Sequence, residues 1–378
     1  MALLFFGNGL VVGSWLPRLP EIRDRLGIDL AAIGFTLALG GLGSLAGSST
    51  SGLVVTRLGA RRTAALGGSM LFLALPLISV VPTAALLSAL LAIMGLLDAL
   101  ADVGMNAVGI RVEESVGRSI MTRLHGLWSL GTLVGSGVAA VAILIGVGLG
   151  AHLAVVSVVG LAAVIAANRL IPDTRPRAKV GARSGALAVG LMLAGATAVF
   201  IEGTPFDWSA LFLRDVVGTG EALAGAGVIL YTGGMLAGRL GGDHLIDRLG
   251  AVPTLFGGIV LSVTAALAVV AAAATATALV GFALWGLGIS VALPVLYKLA
   301  GSHPSFSEGA GLAALTVGTR LGFMVSPALV GVAAEVWSLP VALGVVVSVA
   351  AVATTIATRL TLGRPSQPDD SQLRPSGS

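Results

Sequence analysis

Residues 83–110 read Thr83-Ala-Ala-Leu-Leu-Ser-Ala-Leu-Leu-Ala-Ile-Met-Gly-Leu-Leu-Asp98-Ala-Leu-Ala-Asp102-Val-Gly-Met-Asn106-Ala-Val-Gly-Ile110. Two charges interrupt an apolar run longer than the ~20 residues that cross a bilayer as a helix. Asp98, Asp102 and Asn106 recur every fourth residue, which puts all three on one helix face. A carboxylate in hydrocarbon is costly, so acids at that depth face a cavity or a proton path, or pair to hold helices together.

Working outward, comparable apolar runs recur along the whole chain. Of 378 residues, 56% are hydrophobic and 11% charged, against about 25% charged in soluble domains. The runs are continuous rather than alternating, which excludes a membrane β-barrel. No cysteine is present, and the four histidines lack metal-ligand spacing, so no metal or cofactor is expected. The net charge of +4 comes from arginines near membrane surfaces and calls for no nucleic-acid partner. No Ser/His/Asp triad or Walker loop occurs, so an enzyme is not expected. Met1 is followed by Ala-Leu-Leu-Phe-Phe, without the charged region or cleavage site of a signal peptide. That first segment reads as a helix, and a slightly short one.

Twelve spans are expected near 1–16, 30–55, 63–80, 83–110, 122–146, 151–169, 186–205, 222–245, 252–271, 276–299, 310–333 and 340–360. Residues 170–185 form a basic, proline-containing linker between two units, 1–169 and 186–361. The tail, 362–378, is Pro/Ser/Asp-rich and reads as disordered. With the linker in the cytoplasm, 16 of the 22 Lys and Arg residues fall at cytoplasmic ends or in tails. The positive-inside rule therefore assigns both termini to the cytoplasm.

The halves repeat. A shift of 191 residues carries Arg23-Asp24 onto Arg214-Asp215, Gly27 onto Gly218, and Gly43 and Gly47 onto Gly234 and Gly238. It also carries Arg57-Leu-Gly-Ala onto Arg248-Leu-Gly-Ala, and Gly131 onto Gly322. One gapless offset implies two parallel six-helix halves.

With these features the chain resembles the major facilitator superfamily. Gly52-Leu-Val-Val-Thr56-Arg57-Leu-Gly59-Ala-Arg61-Arg62 is similar to its signature Gly-x-x-x-Asp-Arg-x-Gly-x-Arg/Lys, with Thr56 replacing the acid. The second copy keeps Asp247-Arg248-Leu-Gly250, with Asp243 at its leading position. The stretches Trp15-Leu-Pro-Arg-Leu-Pro-Glu-Ile-Arg-Asp24, Asp102-Val-Gly-Met-Asn106, His125-Gly-Leu-Trp128-Ser-Leu-Gly131 and Glu202-Gly-x-x-x-Asp207-Trp208-Ser resemble its fucose-permease-like bacterial branch. Fucose permease pairs acids on helices 1 and 4. Helix 1 here offers Asn8 instead, so sugar specificity does not carry over. The resemblance implies an all-α membrane fold of two pseudo-symmetric six-helix bundles, with helices 1, 4, 7 and 10 lining a central cavity.

Candidate site residues follow. Asp98, Asp102 and Glu202 are proton-coupling candidates. Glu202 also suits an outer gate, with Asp207-Trp208 expected at the outer interface. Asn8, Asn106, Trp128, Tyr231, Trp285 and Arg320 are substrate-binding candidates, although each aromatic residue also suits plain packing. Asn106 also suits a cytoplasmic gate. His125 reads as a packing or cytoplasmic-end residue. Arg320 has no acid one turn away, so it needs a partner on another helix or an anionic ligand. Arg239 is expected to snorkel or to pair with Asp243 or Asp247. Arg57, Arg61, Asp247 and Arg248 are gating candidates by resemblance. Gly47 and Gly238 join them because small residues one turn apart let helices pack closely. By resemblance, helices 2 and 11, and 5 and 8, meet across the halves, so these faces are expected to slide there.

Together these features point to a monomeric secondary transporter in the cytoplasmic membrane. Its partners are a small organic solute, protons and the lipid bilayer. The alternatives are a proton-antiporting exporter of drugs or metabolites, and a transport-dead receptor or scaffold.

Overall fold

A computed structural model describes residues 1–116, 120–170, 186–302 and 310–362, and all regular structure among them is helical. The expected linker and tail fall almost wholly on 171–185 and 363–378, outside the described residues. Among the described residues, twelve helices are long and apolar enough to cross a membrane. In chain order spans 1 to 6 are Ala2–Leu26, Leu30–Leu58, Ala60–Ser79, Ala84–Glu113, Arg123–Leu144 and Leu149–Leu170. Spans 7 to 12 are Leu187–Val216, Glu221–Gly242, Ala251–Val270, Thr275–Gly301, Gly311–Val336 and Leu339–Thr361. In hydrocarbon a helix satisfies its backbone groups internally, which is why these apolar runs fold this way. Phe35, Leu53, Val158 and Leu240 point outward, exposed, as lipid-facing side chains do.

Two spans run longer than the sequence pattern implies. Span 1 continues past Trp15 through a 3₁₀ turn, Leu16–Arg18, into a second helix, Leu19–Leu26. Pro17 and Pro20 stand in the first turns of their helical segments, where a missing N–H costs nothing. Span 7 holds Pro205 inside its helix and closes on a π-helical turn, Phe212–Val216.

The halves have the same internal packing. Span 1 packs on 5 as span 7 packs on 11, and span 2 packs on 4 as span 8 packs on 10. Gly95 sits against the Gly40 carbonyl and Gly286 against the Tyr231 carbonyl, positions related by the repeat. The turns repeat too. Gly27 and Gly218 have φ of 62° and 77° at one end of the bundle, and Gly59 and Gly250 have 85° and 88° at the other. A side chain is strained in that left-handed region, so both copies keep glycine. The two ends are called below the Gly27 end and the Gly59 end. The halves meet along two seams, span 2 against 11 and span 5 against 8.

The repeated glycine faces do not form those seams. Gly43 and Gly47 lie against Ala92, Leu96 and Ala99 of span 4, and Gly234 and Gly238 against Ala283, Leu287 and Ser290 of span 10. Gly131 and Gly135 face span 1 at Phe6, Leu10 and Gly13, and Gly322 faces Ala196 of span 7. Each face therefore packs inside its own half, which corrects the expected sliding contact at Gly47 and Gly238. The close approach across the 2–11 seam is made instead by Gly34 and Gly41, which lie against Pro327, Gly331 and Met324.

Candidate functional site

The stripe on span 4 reaches neighbours in both halves. Asn8 of span 1 donates from Nδ2 to Asp98 Oδ1 at 2.7 Å, and its own Oδ1 accepts from Trp128 Nε1 of span 5 at 2.7 Å. Spans 1, 4 and 5 are thus tied by one chain of polar groups. One turn along, Asn106 Nδ2 donates to Asp102 Oδ1 at 2.8 Å and to the Asp102 carbonyl at 2.9 Å. Asp102 Oδ2 receives Arg320 NH2 at 2.9 Å, while Arg320 NH1 donates to Ser44 Oγ of span 2 at 2.8 Å. The cation that lacks an acid on its own helix finds one on span 4, across the seam.

Arg239 of span 8 differs from expectation. Its NH2 pairs with Glu202 Oε1 of span 7 at 3.3 Å and its NH1 donates to Ser129 Oγ of span 5 at 2.6 Å. Asp247 is exposed at the Gly59 end, one helical turn or more beyond the site. A guanidinium buried between helices pairs with a buried acid beside it rather than with one at the surface.

Each seam is therefore bridged the same way: an arginine of the second half donates to a serine of the first. The acids differ in placement. Glu202 belongs to the same half as Arg239, whereas Asp102 belongs to the half opposite Arg320. The repeat shift superposes Ser129 on Arg320. Ser44 and Ser129 were not candidates from sequence, because a serine in a helix carries no signal until its neighbour across a seam is known.

Tyr231 and Trp285 are fully buried within the second half. Tyr231 Oη donates to the Glu202 carbonyl at 2.6 Å, and Trp285 Nε1 to the Ile201 carbonyl at 3.0 Å. Trp285 stacks on Phe282 with centroids 6.2 Å apart. Both brace span 7 in this structure instead of lining a cavity, which corrects their assignment as ligand contacts. Trp128 meets Phe206 of span 7 edge-on at 6.5 Å, and Phe206 meets Tyr231 at 4.9 Å. Trp208 is fully buried rather than interfacial, because span 7 continues to Val216. His125 packs edge-on against Phe5 at 5.3 Å. Arg57 and Arg248 are exposed at the Gly59 end, and Arg61 there donates to the Asn168 carbonyl at 3.4 Å.

The Gly27 end carries a second constellation. Arg23 NH1 meets Asp215 Oδ2 at 2.6 Å, and Arg214 NH1 meets Asp24 Oδ2 at 2.7 Å. These two bonds cross between the halves and are copies of each other under the repeat. Within each half the neighbours also pair, Arg23 with Asp24 at 3.4 Å and Arg214 with Asp215 at 2.8 Å. The halves are joined at the Gly27 end and at the level of the central arginines.

Two like six-helix bundles with charged groups between them near the middle of their spans fit a membrane transporter. The chain belongs to the Major Facilitator Superfamily, whose family model matches residues 1–307. It is 31% identical to an uncharacterized MFS-type transporter of Yersinia pestis, over 91% of this chain and 90% of that one. The crystal structure of the nucleoside transporter NupG superposes with a TM-score of 0.73 at 14% identity, covering 95% of this chain and 97% of that one. A bacterial homolog of the human lysosomal transporter Spinster, inward-facing and occupied, gives 0.67 at 14% identity and 97% of both chains. At such identities the superpositions speak to the fold alone.

Proposed function

We propose that the protein is a proton-coupled secondary transporter of the cytoplasmic membrane, moving a small organic solute by alternating access. The observation that carries this reading is the polar cluster of Asn8, Asp98, Asp102, Arg320, Arg239 and Glu202 where the two bundles meet. Acids there can take up a proton from one side and give it to the other as the bundles rock. The Lys and Arg distribution supports placing the Gly59 end and both termini in the cytoplasm. With the Gly27 end tied by its four charges, this structure then corresponds to a carrier closed to the outside.

A thermal-shift screen on the purified protein identifies the solute, since binding stabilises the native state. In proteoliposomes with an imposed pH gradient, Asp98→Asn and Asp102→Asn are then compared with wild type. The carrier of the proton loses uphill transport and keeps downhill counterflow, because exchange needs the pocket but no net proton movement. If both variants still concentrate solute as wild type does, proton coupling through span 4 is wrong.

A further inference from the structure

Of the central carboxylates, Asp102 is set apart by what its ion pair joins. Asp98 accepts from Asn8, within the first half, and Glu202 pairs with Arg239, within the second. Among the described residues, Asp102–Arg320 is the central ion pair that crosses between halves. Its members are also open to the site, with Asp102 30% and Arg320 17% exposed. The bonds to Asp102 and Ser44 use two N–H groups of the guanidinium, out of five.

Resting on the reading of the protein as a proton-coupled carrier, we propose that Arg320 is the subsite for a carboxylate or similar monoanion of the solute. That anion and the Asp102 carboxylate are alternative partners of one guanidinium, so the solute crosses together with a proton on Asp102.

The argument is one of charge balance. Arginine stays protonated at any relevant pH. In the empty protein Asp102 neutralises Arg320 and ties the halves. A proton on Asp102 alone leaves a bare cation at mid-membrane, which is costly. An anion alone meets the Asp102 carboxylate as well as Arg320 and is repelled. Proton and anion together leave no net charge unpaired. The planar guanidinium fork suits a carboxylate held by two N–H bonds. The proton arrives from solution on one side, rests on a carboxylate oxygen of Asp102, and leaves to the other side. The anion then departs and Arg320 closes again on Asp102. Asp102 meets Asn106 on its own helix and Arg320 on span 11, with Asp98 one turn away and His125 on span 5 facing its charge, while Asn8 on span 1 binds Asp98 and Ser44 on span 2 binds Arg320. Of these, Asp98 and His125 also titrate.

The test is thermal melting of the full-length protein in detergent with sodium propionate or sodium methanesulfonate. Sodium chloride and neutral propionamide at matched concentration are the controls. Asp102→Asn leaves Arg320 without its carboxylate, so both organic anions raise its Tm by roughly 2 °C or more and the controls do not. The gain disappears in Asp102→Asn/Arg320→Gln. In wild type, methanesulfonate, which stays ionised, stabilises more in mildly acidic than in mildly alkaline buffer, and this series decides if Asp102→Asn does not fold. An absent anion effect in Asp102→Asn, a gain that survives in the double variant, or equal stabilisation of wild type at both pH values overturns the proposal. Proton-coupled transport of a neutral solute without any anion effect overturns it too, while leaving proton coupling standing.

Discussion

Asn8 is the side chain through which the first half organises its centre. It donates a hydrogen bond to Asp98 and accepts one from Trp128, both at 2.7 Å. Asn8→Ala leaves a carboxylate oxygen and an indole N–H without partners. Unfolding free energy should fall by about 1–3 kcal/mol, read as a lower Tm in detergent, and an unchanged Tm would show the two groups re-paired with water. The stripe of Asp98, Asp102 and Asn106 was legible because helical spacing is a local property. The partner of Arg320 was not, since it lies 218 residues away in sequence. A lone arginine in an apolar run announces that it needs an anion but not which one. Arg239 misled for the same reason: Asp247, near it in sequence, is exposed, and Glu202 is its neighbour only in the folded bundle.

Helices show which glycines hold a bundle together and which let bundles move. Gly43 and Gly234 are pressed against the spans 4 and 10 of their own halves, while Gly41 lies on Met324 across the 2–11 seam. Gly43→Val and Gly234→Val should therefore lower Tm, by roughly 1–3 kcal/mol of overpacking or more, without changing which cavity mouth is open. Gly41→Val should do the reverse, shifting cysteine-labelling rates at the two mouths with a smaller loss of stability. Indistinguishable behaviour of the Gly41 and Gly43 variants would mean the seam does not part there. The sequence shows the small residues but not the direction each one faces. Positions two apart, such as 41 and 43, point to different neighbours, and period alone does not say which neighbour belongs to which half. Pro17 and Pro205 are tolerated inside spans because their missing N–H groups fall at a turn start or within a bundle that re-satisfies the backbone.

For the whole molecule, the contact between the halves at the Gly27 end includes four charges that are partly exposed, Asp24 by 54% and Arg23 by 19%. Each exposed pair contributes only about 0.2–1 kcal/mol and is screened over roughly 8 Å at physiological ionic strength. Under the proposed alternating access, raising salt should increase labelling of the central polar cluster from that end. Arg23→Asp alone should open the mouth, and Arg23→Asp with Asp215→Arg should close it again. Identical labelling in the single and double variants would show that helix packing, not charge, holds the mouth. Opening leaves no charge stranded, because each half keeps its own Arg–Asp neighbours to fall back on. The same arrangement has a further result. Arg23 and Asp24 together supply both a donor and an acceptor for the crossing bonds, so a protein made of the first six spans alone would carry every group needed to seal that mouth against a second copy of itself. The centre has no such self-matching, since Arg320 stands where the first half has Ser129. One fold thus holds a closure that two equal halves could make and a charge exchange that only unequal halves can.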